Sequence, residues 1–140
     1  MVVQRRRIAL DEGRAALAAW QAANSPDAGA AEPGTAGEGG PAAGTAVSRT
    51  TLATAVRYSL EEVTARAPGN SVEVRVPPYG VTQCVEGPRH TRGTPPNVIE
   101  CDAGTWLAMV SGRLRWADAV DSGRVAASGL RADLSGLLPL

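Results

Sequence analysis

The 140-residue chain has no lysine and no phenylalanine, and it holds a single histidine and only two cysteines. Each shortage removes a class of function. One histidine and two cysteines that form no CxxC pair cannot complete a tetrahedral zinc site. No stretch approaches the ~18 consecutive apolar residues of a membrane-spanning helix. The arginine cluster in "MVVQRRRIALDEGR" is followed by acids after three apolar positions, too soon for a signal-peptide core. Fourteen basic and 14 acidic residues cancel, so no net field draws the chain to nucleic acid or to an anionic membrane. These absences predict a cytoplasmic protein with reduced thiols and no metal or cofactor. They also predict no nucleic-acid partner and no integral membrane contact.

What is present suits one soluble globular domain, with 44% hydrophobic and 20% charged residues. "LDEGRAALAAWQAA", residues 10 to 23, is alanine-rich and predicts a short helix with Leu10, Leu17 and Trp20 on one stripe. "NSPDAGAAEPGTAGEGGPAAGTA", from residue 24, has almost no large side chain to offset the entropy of ordering and reads as a linker. The chain divides accordingly into an N-terminal segment (1–23), a flexible Gly/Ala/Pro-rich linker (24–47) and a folded domain (48–140).

Within that domain, Leu52, Val56, Leu60 and Val63 recur at helical spacing from Ser48 to Ala67. "APGN" at 67–70 stops the helix. "SVEVRV" (71–76) alternates as a half-covered strand does, "PPYG" supplies turn chemistry, and "VTQCVE" (81–86) follows as a second strand. "EGPRHTRGTPP" (86–96) is a loop and "NVIEC" (97–101) a third strand. Asp102 is a plausible N-cap for a helix carrying Trp106, Leu107, Met109 and Val110. The tripeptide Ser-Gly-Arg then occurs twice, at 111–113 and 122–124. Glycine after an apolar run reads as a helix C-terminus, because it takes a left-handed conformation without a Cβ penalty, and arginine suits the negative helix end. "WADAVD" (116–121) is therefore a short helix between the two stops. "RVAAS" (124–128) is a short strand, and Leu130 to Leu138 predicts a final amphipathic helix with Leu130, Leu134, Leu137 and Leu138 facing inward. The order predicts an α+β fold.

The run "NVIECDAGTWLAMVSGRLRWADAVDSGRVAASGLRADLSGLL" resembles the second half of the sterol carrier protein type 2 fold. The family pattern is a strand, an acid, a helix ending in a Gly/basic step, a second short helix ending likewise, a strand, a glycine and a leucine-rich terminal helix. From Thr51 onward, including "APGNSVEVRVPPYG" and "GPRHTRGTPPNV", the chain is more closely similar to small actinobacterial proteins described as bacterial sterol carrier orthologues. The resemblance implies a small, mainly antiparallel sheet covered by helices, an apolar tunnel for lipids or fatty acyl chains, and a last helix flanking its mouth. It implies no catalytic residues. The chain departs from the pattern at Arg115-Trp116, where the family often has a polar residue and proline, and the Trp116 indole there could fill ligand space.

On this reading Leu130, Leu134, Leu137 and Leu138 form one wall of the lipid site, and Leu60, Trp106 and Val110 stand opposite. Arg89, His90 and Arg92, in the loop between Pro88 and Pro95, are candidate contacts for a phosphate or carboxylate head group. The plain alternative for those three is a solvated basic loop paired with Glu86 or Glu100. Two rival functions stay open: an accessory or scaffold module of the same fold that binds a protein partner without a lipid, and a thiol-dependent enzyme. The enzyme needs a thiolate beside a base, and His90 is the only imidazole. Cys84 and Cys101 sit on expected strands, where buried cysteine behaves as a small hydrophobe, or pair as a regulatory disulfide if their register allows. The N-terminal segment is a candidate flap over the cavity mouth, given a ~25 Å r.m.s. reach for its linker.

Overall fold

The computed structural model describes residues 6–24, 47–88 and 96–140. The expected linker, apart from its ends, and the loop holding Arg89, His90 and Arg92 lie outside the described residues. Among the described residues four helices and four strands run in the order α1 (Leu10–Ala23), α2 (Arg49–Arg66), β1 (Val72–Val76), β2 (Gly80–Cys84), β3 (Val98–Cys101), α3 (Ala103–Val110), α4 (Trp116–Asp121) and β4 (Val125–Ser128).

Local chemistry explains several of these boundaries. Ser48 caps α2 by accepting the Thr51 N–H, and the Asp102 carboxylate accepts the Thr105 N–H at the start of α3. Both Ser-Gly-Arg steps end helices as expected. Gly112 and Gly123 have φ of 82° and 80°. The following arginine N–H reaches back to Ala108 O at 2.9 Å and to Ala119 O at 3.0 Å, which is the Schellman closure.

The sheet order is β2-β1-β3-β4, with β1 antiparallel to β2 and parallel to β3, and β3 antiparallel to β4. Alternation along β1 sends Val72, Val74 and Val76 into the core and leaves Glu73 and Arg75 on the open face. The core lies between the covered face and α2 and α3, where Val56, Leu60, Val63, Ile99, Trp106 and Leu107 are buried.

One expected element is corrected. The stretch from Leu130 to Leu138 is not a helix but two separate turns, with Ala132 N–H bonded to Gly129 O and the N–H groups of Leu137 and Leu138 bonded to Leu134 O. Asp133 turns its carboxylate onto the Ser135 N–H at 2.8 Å, offering the backbone a local alternative to a helix. Ser135-Gly136 inside the segment and Pro139 just after Leu138 further disfavour a continuous helix. Leu130 consequently points away from the protein and is fully exposed, whereas Leu134 is buried and Leu137 and Leu138 are half-buried against the core.

Candidate functional site

Three elements converge on one apolar interior. Helical spacing on α2 turns Leu60 toward the sheet, where Gly80 leaves room for it: a Cβ there would stand 3.1 Å from Leu60 Cδ1. Trp106 and Val110 project from α3 into the same cluster, and Leu134 enters it from the C-terminal segment. Trp106 is anchored by its Nε1–H, which donates to Ser59 Oγ at 2.7 Å, while Ser59 Oγ–H donates to Val56 O at 2.8 Å. Leu60, Trp106, Val110 and Leu134 are between 0% and 3% exposed. Of the seven expected wall residues, Leu130 alone is outside this cluster and the half-buried packing around it. The C-terminus closes over α3, where the Leu140 N–H bonds Val110 O at 3.0 Å, and Trp116 packs half-buried at the edge of the core.

Sequence reasoning missed the seating of the N-terminal helix. α1 lies along α2 and adds Ala16 and Trp20 to the core. Its N-cap Ala9 offers no side chain, and its C-cap Asn24 donates its Nδ2–H to Trp20 O at 2.8 Å; residues from elsewhere in the fold add to both ends. At the N-terminal end the Glu61 carboxylate accepts the Arg7 and Ile8 N–H groups at 2.8 and 3.1 Å, and Arg6 pairs with Glu62 at 2.6 Å. At the C-terminal end the Arg113 guanidinium donates to the carbonyls of Gln21 and Asn24 and stacks over the Trp20 ring, 5.5 Å from its centroid. The available signal was Gly13, Ala16 and Trp20 on one helical face. The arginine of the first Ser-Gly-Arg step thus holds another helix in addition to suiting its own helix end.

At both cysteines burial disfavours the thiolate form. Burial pushes Cys84 up to about 11 and, with Asp102 and Glu100 adding repulsion, Cys101 up to about 12. A nucleophilic cysteine needs the opposite shift. Nor can the two form a disulfide in this fold. Cys84 stands opposite Val72, while Cys101 follows the Arg75–Glu100 pair, so β1 lies between them and they are offset along it. Two strand spacings and roughly four residues of rise separate them by about 16 Å, far beyond the ~7 Å limit for bridged Cα atoms. Among the described residues no group of three His, Cys, Asp or Glu side chains could hold a metal ion, and no helix is long and apolar enough to cross a membrane.

The open face of the sheet carries a shallow groove of about 470 Å³ lined by Glu73, Arg75, Pro77, Pro78, Gly80, Val81 and Glu100. Arg75 is already paired with Glu73 at 2.5 Å, and the groove is too open to enclose an acyl chain.

A family model described as "Bacterial SCP ortholog" matches residues 48–140. The chain belongs to that family. The α+β architecture of the SCP-type domain, with its four-stranded, mostly antiparallel sheet and covering helices, agrees with the expected fold class. SCP-like families are in general non-catalytic carriers with a lipid-binding role. No curated protein matches the chain.

Proposed function

We propose that the chain is a non-catalytic carrier that takes up a lipid or fatty acyl chain in the apolar interior between the sheet and α2–α3. Leu60, Trp106, Val110, Leu134, Leu137 and Leu138 contact the acyl chain in this reading. The observation that carries it is the C-terminal segment. Leu134, Leu137, Leu138 and Leu140 lie against the core on a stretch with no long helix or strand of its own. An acyl chain can replace those side chains without breaking a ladder. About ten buried methylenes at ~0.8 kcal/mol each give roughly 8 kcal/mol gross, which after the cost of association is consistent with micromolar or weaker affinity.

The test is native mass spectrometry of protein purified from its own host, and again after incubation with fatty acids and acyl-CoA. A stoichiometric lipid mass that leaves on denaturation is the expected result. A bare protein mass in both cases would overturn the carrier reading. It would favour the accessory module that binds a protein partner, a reading that draws its own support from the near-complete burial of Leu60, Trp106, Val110 and Leu134.

A further inference from the structure

Two tryptophans are enclosed by the fold and end differently. Trp106 donates its Nε1–H to Ser59, but Trp20, 3% exposed, donates to nothing: its Nε1 is the one buried side-chain polar atom without a partner among the described residues. A buried donor left unpaired is costly, and proteins that keep one commonly reserve it for a water, an ion or a ligand. The place is also unusual. Trp20 sits at the seam between α1 and the family domain, with the Arg113 guanidinium over its ring. Arg113 has five N–H donors, and bonds from two of its nitrogens reach the carbonyls of Gln21 and Asn24. No carboxylate pairs with it among the described residues.

We propose that Trp20 and Arg113 form the head-group end of the lipid site and receive the carboxylate of a fatty acid, an inference that rests on the carrier reading above. One carboxylate oxygen accepts the Trp20 Nε1–H and the other accepts from a remaining N–H of Arg113. A single negative charge matches a single guanidinium, whereas a phosphate monoester would bring a second charge with no partner into an apolar seam. The hydrocarbon tail has continuous apolar surroundings beyond the head group, because Trp20 belongs to the same cluster as Leu52, Val56, Leu60 and Val110. Polar contacts fasten α1 at its ends and its middle packs closely on Tyr58 at Gly13, so the ligand enters at the Arg113 end of the helix, beside Trp20.

Isothermal titration of the full chain with dodecanoate and with 1-dodecanol tests the assignment, using wild type, Trp20→Phe and Arg113→Gln. Phenylalanine retains an aromatic ring and removes the donor. Arg113 is exposed, so its replacement spares the core, and the melting temperature of each variant reports any loss of fold. Wild type is expected to prefer dodecanoate, and each substitution to weaken dodecanoate by about 10- to 100-fold while leaving dodecanol unchanged. Equal affinity of wild type for both ligands, or unchanged dodecanoate binding in both variants, overturns the head-group assignment and leaves the carrier reading standing. Binding of neither ligand to wild type overturns both.

Discussion

Without a Cβ at position 13, the Tyr58 ring lies directly on the α1 backbone; an added Cβ would stand 2.2 Å from Tyr58 Cδ1. In an isolated helix interior, alanine is favoured over glycine by about 1 kcal/mol. Gly13→Ala therefore sets propensity against close packing, and the clash is the larger effect. We expect a net destabilisation of roughly 1–3 kcal/mol, read as a lower midpoint in urea unfolding. A higher midpoint would mean that the Tyr58 ring swings aside at little cost and that α1 is held by its ends. The sequence displayed Gly13, Ala16 and Trp20 on one face but gave no sign of Tyr58, because two residues 45 positions apart meet only through the packing of α1 on α2.

Among the elements, α2, α3, the end of α4 and β1 carry their own local signals: Ser48 and Asp102 as caps, Gly112 and Gly123 as closures, and the alternating valines of β1. The C-terminal segment shows the limit of periodicity. Leu130, Leu134, Leu137 and Leu138 have helical spacing, yet the Asp133–Ser135 contact and Gly136 favour turns, and spacing alone does not weigh those competitors. Leu130 and Leu134 separate cleanly. Leu134→Ala should cost about 2–5 kcal/mol through loss of buried contact and the cavity it leaves, whereas Leu130→Ala should change stability by less than about 0.5 kcal/mol. Comparable losses in paired denaturation curves would mean that Leu130 is buried and that the segment is helical after all.

At the scale of the whole molecule, the two buried thiols couple global stability to alkaline pH. Their folded values, about 11 and about 12, lie above the ordinary value of 9.0, so the native state holds these protons more tightly than the unfolded chain does. The contribution is fully present below about pH 9 and is lost as pH rises through 11 to 12. Urea unfolding of wild type should weaken across that window by an amount of the order of a few kcal/mol, and a Cys84→Ala/Cys101→Ala double variant should show a flatter dependence. Equal slopes would show that both thiols ionise freely in the folded protein. The sequence by itself determined most of the elements, the open and covered faces of β1 and the two helix stops, because these depend on the side chains of a few neighbouring residues. It also carried the family resemblance from Thr51 onward, since that pattern is linear, and the family model matches residues 48–140. Only the tertiary structure decided that α1 is seated on α2, that Arg113 holds both an α1 end and the Trp20 ring, and that the terminal leucines divide between core and solvent. Each of those depends on groups far apart in the chain, whose contact is fixed by the closing of the core and not by any local periodicity.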